Sequence, residues 1–499
     1  MDSLRKRSRL VAAAVLGTSL TLAAGLAAGD HTATAQAPAA LTLELSDSAT
    51  SPGRCVQATV TVSPDKTGQT AAVEESAGSG WTDVASATLG PGSTATVPLC
   101  FGWASLGSVA VRASWTTDGQ DASAVSPTML LAVRKAPWML RIDALSALRS
   151  MSVTVGEGGV FAYRHADTVR RAPASNEKLL LSMTLLNRLG PDATISTRAA
   201  AANVEDGVVT GNLWIIGGGD PAVSSARIDT LAEHLRDAGI TSITGRVMGS
   251  TGSFSHDWWA PGWKPSFPRT EVALPTALAF NGNAVHGVHI RDPEYRAAAA
   301  LTARLRALGV HVAGAPGAGL PSGPLQTVAS ITSAPMSELL QWVDVPSWNF
   351  GAETLGKLLG ASRFGAPGTI AKGAAAIGGF AWARHVDVTA YDASGLSYDD
   401  RISASGMVTL LRDAETEPWL SPLRGALPHA GEGTLTGRLA GVRVRAKTGT
   451  LADVSALSGW VWIPSQSRWA EFSILSSGYT PTLKHVEDEI VRTIAGQAG

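Results

Sequence analysis

The segment APASNEKLLLSMTLLNRLG, residues 172–190, places a serine and a lysine three positions apart at the start of an apolar helix. Ser175 and Lys178 would lie one turn apart on the same helix face. A serine hydroxyl is a weak nucleophile until a base removes its proton, and a lysine kept neutral by burial can be that base. The helix predicted from 175 to 189 is apolar nearly all round and is followed by Gly190, which predicts a buried helix ending there. The segment therefore predicts an activated serine on a buried helix.

The spacing Ser-x-x-Lys is weak evidence by itself, because the chain contains it three times. The matches are Ser3 with Lys6, Ser63 with Lys66, and Ser175 with Lys178. The segment SPDKTG (63–68) even adds a Lys-Thr-Gly triplet, but one lysine cannot fill both roles, and the residue types are those of a surface turn. Only partners elsewhere in the chain can separate a site from a coincidence.

The first such partner is Ser347-Trp348-Asn349, the only Ser-x-Asn in the chain. Its hydroxyl could relay a proton to a leaving group. Its amide could hold both a substrate carbonyl and the lysine. We therefore predict Ser347 and Asn349 as catalytic residues beside Ser175 and Lys178.

The second partner is Lys447-Thr448-Gly449, which ends the alternating strand VRVRAKTGT. A lysine and a hydroxyl on a strand can hold a carboxylate, and a glycine lets a substrate backbone lie close. We predict these three residues and Thr450 as substrate-binding residues. The backbone N–H groups of Ser175 and Thr450 are the natural donors to an oxyanion.

Together these motifs resemble the penicillin-binding D-Ala-D-Ala carboxypeptidases and endopeptidases of the low-molecular-mass class, which carry a long insert between the first two motifs. The resemblance covers about residues 135–499, with every segment in the family's order. The segments are PASNEKLL (173–180), GNLWIIGGGDP (211–221), APGW (260–263), SWNFGAE (347–353), DASGLS (392–397), GEGTLTGR (431–438) and AKTGTL (446–451).

The resemblance implies a serine D,D-peptidase that acts on peptidoglycan stem peptides ending in D-Ala-D-Ala and is acylated by β-lactams. It implies an antiparallel sheet flanked by helices, with the insert as added subdomains. The implied roles are Ser175 as acylated nucleophile, Lys178 as its base, Ser347 and Asn349 in proton transfer and substrate holding, and Lys447 and Thr448 in binding the terminal carboxylate.

The chain departs from the family pattern at five positions. Trp348 stands where the family often has Asp, and DASGLSYDDR differs from the usual D-G-S-G-L-S-R-x-N-R at Ala393, Tyr398 and Asp400. Ser250 stands where members often carry an Asp, a side chain able to contact the peptide stem. None of these changes removes a chemical group from the three motifs, but they put the preference for substrate side chains in question.

Composition limits the function further. The chain has 499 residues, 45% of them apolar, and a formal net charge of −1. This length predicts several domains with sizeable cores, and the balanced charge argues against nucleic acid as a partner. The 10 histidines show no metal-ligand spacing, so we expect no metal and no cofactor.

The N-terminus is typical of an export signal over residues 1–37. A basic front precedes an apolar stretch from Leu10 to Ala28, and small residues from Ala33 to Ala37 offer cleavage sites. The stretch is long for a cleaved signal, so an uncleaved N-terminal anchor is the alternative. No later segment is apolar enough to span a bilayer. We expect an exported protein in the cell envelope, in the periplasm or secreted.

The two cysteines, Cys55 and Cys100, suit that location. Disulfides persist outside the cytoplasm, which favours their pairing. Two buried free thiols are the alternative.

The predicted architecture is multidomain. Residues 40–134 alternate apolar and polar residues in short strands, which predicts an all-β sandwich of immunoglobulin-like architecture. Residues 135–194 and 330–499 would form the α/β penicillin-recognising domain. Residues 195–329, with a hairpin expected in VVTGNLWII (208–216) and two amphipathic helices, would form the inserted α/β material.

Two other functions remain compatible with these features. A β-lactamase shares the acylation step but needs a base for water, and the sequence offers no obvious helper glutamate. A catalytically degenerate envelope-binding protein would explain the departures and the added β domain, but the intact catalytic set argues against it. Rapid nitrocefin turnover would indicate the first, and release of D-Ala from a peptide would exclude the second.

Overall fold

A computed structural model describes residues 39–78, 80–116 and 123–497. The expected export signal at 1–37 lies outside these residues. Among the described residues, no helix is both long and apolar enough to cross a lipid bilayer.

The described residues between 39 and 134 form two β-sheets that share one hydrophobic core. Leu43 and Val60 from one sheet and Val73 and Val111 from the other are buried in it. The first sheet has the order Ala40–Leu45, Cys55–Ser63, Thr94–Cys100. The second has the order Ala49–Thr50, Met129–Val133, Gly107–Trp115, Thr70–Ala77, Gly80–Thr88, with Ala124–Val125 paired to Gly107–Trp115.

The predicted pairing of Cys55 with Cys100 is confirmed. The two residues are direct register partners on adjacent strands, with Cα atoms 3.9 Å apart. The disulfide therefore joins two strands of one sheet and does not bridge the two sheets. Both cysteines are exposed.

The sheet that carries the third motif is five-stranded and antiparallel throughout. Successive residues of its strand Val454–Ile463 face opposite sides of the sheet. Ala456 and Trp460 join one core, whereas Leu457 and Val461 join the other. The strand order is Val160–His165, Ser150–Glu157, Arg468–Ser477, Val454–Ile463, Val444–Leu451.

Helices cover both faces of this sheet. One face packs against Pro137–Ser146 and Thr480–Ala495. The other packs against an all-helical layer that is hydrophobic inside, as predicted for the helix behind Lys178. The helices of this layer are Glu177–Leu189, Met336–Asp344, Asn349–Phe364, Ile370–Trp382, Ala404–Ala414 and Leu420–Ala426.

The chain between these halves has its own core, built from strands and the amphipathic helices Ser225–Asp237 and Pro293–Ala307. The hairpin expected over 208–216 is wrong. Val208–Val209 pairs in parallel with Ser242–Ile243, whereas Leu213–Ile216 enters a different sheet. The two sheets have the orders Gly317–Gly319, Val247–Ser250, Leu213–Ile216, Ser196–Ala201, Gln326–Thr332 and Val204–Glu205, Val208–Val209, Ser242–Ile243, His311–Val312.

Several short elements complete the described chain. Two strand pairs are Arg170–Arg171 with Ile402–Ser403 and Ala284–Val285 with Val288–His289. The short helix Phe267–Thr270 follows strand Val247–Ser250 in the sequence. The 3₁₀ turns are Trp103–Ser105, Ala174–Asn176, Asn281–Asn283, Gly433–Leu435 and Pro464–Gln466.

Candidate active site

Ser175 lies in a 3₁₀ turn, Ala174–Asn176, that leads into the helix Glu177–Leu189. The helix predicted from 175 thus begins two residues later, and it ends before Gly190 as expected. The turn departs from ordinary backbone geometry, because Ala174 has a φ of 47°. A non-glycine residue in this region carries strain that the surrounding structure must offset.

Lys178 is completely buried directly behind Ser175. Its Nζ lies 3.1 Å from Ser175 Oγ, 2.8 Å from Asn349 Oδ1 and 2.6 Å from the backbone oxygen of Ser394. The structure therefore brings together three of the four predicted catalytic residues.

These contacts fix the direction of the lysine lone pair. The oxygen of Ser394 can only accept a hydrogen bond. Asn349 also presents its oxygen to Lys178, because its Nδ2 donates to the backbone oxygen of Glu271 at 3.1 Å. A neutral lysine has two N–H groups, and both are directed to these acceptors. Its lone pair is left facing Ser175 Oγ, as a base needs.

Burial lowers the pKa of Lys178 to about 8, against the opposite pull of neighbouring carboxylates. The neutral amine is then a minority form of about a tenth at pH 7, and it becomes the main form above pH 8. The neutral lysine that the sequence chemistry requires thus has a physical cause, namely desolvation.

A group of buried carboxyl groups surrounds Lys178, and sequence reasoning missed it. Burial raises the pKa of Glu353 to about 8 and that of Asp344 to about 6, and it raises the pKa of Glu177 well above its usual range. Each of these acids looks like an ordinary surface residue in the sequence. The signal that could have found Glu353 is its place in the SWNFGAE segment.

Ser347 and Asn349 lie on either side of the start of helix Asn349–Phe364. Ser347 has a φ of 61° and lines the same cleft as Ser175. Within the described part of the chain, its hydroxyl makes no hydrogen bond to Ser175 or Lys178. Trp348 packs instead against both the helical layer and the inserted core. This departure from the family pattern therefore adds a packing residue and does not line the cleft.

The Lys-Thr-Gly triplet divides between the cleft and the interior. Thr448 and Thr450 line the cleft, and Thr448 Oγ1 donates to Thr434 Oγ1 at 2.7 Å. Lys447 is fully buried behind the wall, where burial and then the charge of Lys178 lower its pKa to about 7. A Cβ on Gly449 would stand 2.5 Å from the backbone oxygen of Pro173. Gly449 therefore admits the chain that carries Ser175.

The cleft in front of Ser175 has a volume of about 580 Å³. Its lining includes Lys264, Arg438 and Lys484 but a single carboxylate, that of Glu271. Arg438 is paired with Glu487 and Asp488 at 3.0 and 2.8 Å. Lys264 and Lys484 are therefore the cations that favour a negatively charged ligand in the cleft.

The other departures have structural counterparts. The methyl group of Ala393 occupies space left by Gly356, where an added Cβ would stand 2.5 Å from it. Tyr398 lines the cleft, and its hydroxyl accepts from the backbone N–H of Ala452 at 3.1 Å. Asp400 is buried and accepts from the backbone N–H of Tyr391 at 2.8 Å. Ser250 is buried at the end of an inserted strand and is not among the residues that line the cleft.

The segment SPDKTG (63–68), which contains both lysine motifs, begins at the last residue of strand Cys55–Ser63. Lys66 Nζ lies over the Trp115 ring, 5.1 Å from its centroid. No group of three or more His, Cys, Asp or Glu side chains within residues 39–78, 80–116 and 123–497 is arranged to hold a metal ion.

The model of the D-Ala-D-Ala carboxypeptidase 3 (S13) family matches residues 143–285 and 272–497 of the chain. The carboxypeptidase DacB of Mycolicibacterium smegmatis is 29% identical over 407 residues, which cover 75% of this chain and 86% of that protein. The D-alanyl-D-alanine carboxypeptidase of Actinomadura sp. (strain R39) is 28% identical over 419 residues, covering 66% and 77%.

Among solved structures, penicillin-binding protein 4 (dacB) from Haemophilus influenzae matches with a TM-score of 0.64 and 19% identity, covering 72% of this chain and 100% of that one. Its complex with a β-lactam matches with a TM-score of 0.59, at the same identity and coverage. These matches show that the mixed α/β, multi-sheet fold is shared.

Proposed function

Because the chain belongs to the D-Ala-D-Ala carboxypeptidase 3 (S13) family and is a serine-type D-Ala-D-Ala carboxypeptidase, we propose that Ser175 is its acylated nucleophile and Lys178 the base. The single observation that carries this assignment is the arrangement around Lys178 Nζ. Two pure acceptors take its N–H groups, and Ser175 Oγ stands 3.1 Å away on the remaining side.

In the first step, the Ser175 hydroxyl gives its proton to Lys178 Nζ while Oγ bonds to the carbonyl carbon between the two D-alanines. The backbone N–H groups of Ser175 and Thr450 donate to the oxyanion that forms. The C–N bond then breaks, and the departing D-Ala nitrogen takes the proton through the hydroxyl of Ser347. Water attacks the resulting ester and gives its proton to Lys178. Lys178 then passes this proton to Oγ as the ester C–O bond breaks, which restores the Ser175 hydroxyl and the neutral lysine.

The terminal carboxylate is held at the Lys-Thr-Gly strand. The hydroxyls of Thr448 and Thr450 are at the cleft surface, and the ammonium of Lys447 lies behind them. When protonated, Lys447 attracts the carboxylate electrostatically. The cations that line the cleft support the same choice of an anionic peptide end.

A β-lactam presents a carboxylate next to a strained amide, so the same site would be acylated by penicillins. A fluorescent penicillin tests the assignment. We expect the wild-type protein to be labelled stably and Ser175→Ala not at all. Labelling that survives in Ser175→Ala would disprove the role of Ser175.

The same preparation separates the alternatives. Rapid nitrocefin turnover would indicate a β-lactamase, and absence of labelling in the wild type would indicate a degenerate site. Mass spectrometry of purified peptidoglycan fragments would show whether loss of terminal D-Ala or cleavage of cross-links dominates.

We also propose that residues 40–134 form a separate immunoglobulin-like sandwich, that 135–194 and 330–499 form the catalytic domain, and that 195–329 form an inserted one. Separate cores and sheets support this division. Arg468 of the catalytic domain contacts the sandwich by donating to the backbone oxygen of Gly53 at 3.1 Å. It also pairs with Glu157 of its own domain. The formed disulfide supports an extracytoplasmic location in the cell envelope, in the periplasm or secreted.

A further inference from the structure

The backbone oxygen that contacts Lys178 belongs to a tight turn, residues 392–397, here termed the lysine-facing turn. Two buried carboxylates hold its backbone. Glu353 Oε1 accepts from the N–H groups of Ala393 and Ser394 at 3.0 and 2.8 Å. Asp392 accepts from the N–H groups of Gly395 and Ser397 at 2.7 and 2.8 Å. The turn therefore presents the Ser394 oxygen in a fixed direction.

The lysine-facing turn is also bound by the segment Ala260–Trp263, which lies within the proposed inserted domain. Trp263 Nε1 donates to Asp392 Oδ2 at 2.6 Å, and both side chains are buried. Ser397 Oγ donates to the backbone oxygen of Pro261 at 2.8 Å. A Cβ on Gly262 would stand 2.5 Å from Ser397 Oγ, so the two segments are packed without spare room.

On its other side the turn backs onto the residue before the nucleophile. A Cβ on Gly395 would stand only 1.9 Å from the backbone oxygen of Ala174. The turn thus contacts the inserted segment, the base and the strained residue that precedes Ser175.

We propose that Trp263 and Asp392 are positioning residues through which the inserted segment holds the Ser394 oxygen against Lys178 Nζ. The inference rests on the proposed role of Lys178 as base. If the turn moved away, one N–H of a neutral lysine would lose its acceptor. The lone pair of Lys178 Nζ would then no longer be constrained to point at Ser175 Oγ. Proton transfer from Ser175 to Lys178 therefore requires the inserted segment to be docked against the turn. This requirement is separate from any contact between the insert and the substrate.

The titratable groups that face Lys178 come from every surrounding element. Glu177 lies on its own helix, Asp344 ends helix Met336–Asp344, and Glu353 lies on helix Asn349–Phe364. Asp392 belongs to the turn, and the ammonium of Lys447 comes from the sheet. Asp392 is the first of the carboxylates that favour the charged form of Lys178. Neutralising it therefore has an electrostatic effect that simple loosening of the fold lacks.

The test uses the full-length protein and two substitutions, with the rate of acylation by fluorescent penicillin measured from acid to alkaline pH. Trp263→Phe keeps an aromatic but smaller side chain and removes the N–H donor. We expect the limiting rate to fall about tenfold, as for loss of one hydrogen bond to a charged group. The pH at half-maximal rate should stay unchanged, because the charge of Asp392 remains. Asp392→Asn should also be slow, with the half-maximal pH about one unit lower. With a D-Ala-D-Ala peptide, kcat should fall and KM should change little.

Trp258→Phe is the matched control. Its Nε1 donates to the backbone oxygen of Val272 at 2.9 Å, also within residues 195–329 but away from the turn. We expect its rate to equal that of the wild type. If Trp263→Phe fails to fold, Ser397→Ala removes the contact with Pro261 by a smaller change and should again lower the limiting rate.

The outcomes separate this inference from the proposed function. Rates for Trp263→Phe and Ser397→Ala equal to that of Trp258→Phe would overturn the positioning role while leaving Ser175 and Lys178 in place. A half-maximal pH for Asp392→Asn equal to that of the wild type would also contradict the positioning role. Labelling of Ser175→Ala would instead overturn the proposed function itself.

Discussion

Lys178 Nζ and Asn349 Oδ1 are 2.8 Å apart and join the helix behind the nucleophile to the first residue of a second helix. The other end of the Asn349 amide donates to the backbone oxygen of Glu271. The amide is therefore held from both ends, and the acceptor that it offers to the lysine is set by the fold.

A change in charge at this position should move the pH dependence of acylation. Asn349→Asp places a carboxylate beside Lys178, which raises the pKa of the lysine. A base acts when deprotonated, so the rise in acylation rate with pH should move to higher pH. The neutral variant Asn349→Ala should lower the rate without that upward movement. Stopped-flow acylation by penicillin at a series of pH values distinguishes the two.

The wild-type enzyme should show a bell-shaped pH profile. Lys178 must be deprotonated and has a pKa of about 8, whereas Lys447 attracts the carboxylate when protonated and has a pKa of about 7. As pH rises, a larger fraction of Lys178 is deprotonated and a smaller fraction of Lys447 is protonated. We expect kcat/KM for a D-Ala-D-Ala peptide to be largest between these two values, with apparent constants that belong to the pair of lysines. A rate that still climbs far above that range would contradict the role given to Lys447.

Replacement of Lys178 by methionine should leave a folded but nearly inactive protein. Methionine fills much of the buried space and removes the base, so acylation should slow by at least about 10²-fold, the usual contribution of a general base. Thermal unfolding serves as the control for folding. An acylation rate within a few-fold of the wild type would assign the base elsewhere.

Gly449→Ala should separate the nucleophile turn from the Lys-Thr-Gly strand. The added methyl group would stand 2.5 Å from the oxygen of Pro173, and overpacking of this kind costs about 1–3 kcal/mol. We expect a lower unfolding temperature and slower acylation. Gly425→Ala is a matched control, since a Cβ there meets nothing within 4 Å. Equal behaviour of the two variants would show that the strand can shift without loss.

Removal of the disulfide should destabilise the N-terminal sheets and spare catalysis. The bond closes a loop with a sequence separation of 45 residues. The chain-entropy model gives about 4 kcal/mol for such a loop. Cys55→Ser combined with Cys100→Ser should therefore unfold at lower denaturant concentration in its N-terminal part. Peptidase activity at moderate temperature should equal that of the wild type, and its loss would show that the first domain supports the cleft.

The sequence predicted much of the fold because its signals are local. Alternation predicted the short strands within residues 40–134 and the strand that carries Lys447, and the leucine-rich run after Lys178 predicted a buried helix. The hairpin at 208–216 failed because strand partners are chosen in three dimensions. Leu213–Ile216 is flanked by strands distant in sequence, on both of its edges.

The motif residues of the site could be predicted because their spacing in the sequence is local. The buried groups behind them could not. Motif spacing identified Ser175, Lys178 and Asn349, whose contacts the structure contains. Glu353 and Asp392 gave no sign of burial, because solvent exclusion arises only when several elements pack together. Lys447 was predicted to hold a substrate carboxylate, yet its side chain is completely buried.

The packing of Trp348 opposes widening of the cleft. The outer residues of its triplet, Ser347 and Asn349, line the cleft, while the indole between them is wedged into two hydrophobic cores at once. Any hinge motion that widened the mouth by drawing the insert away from the helices would expose that ring to water, at about 25 cal/mol for each Å² uncovered. The partly buried indole thus adds a free-energy cost to any widening of the cleft.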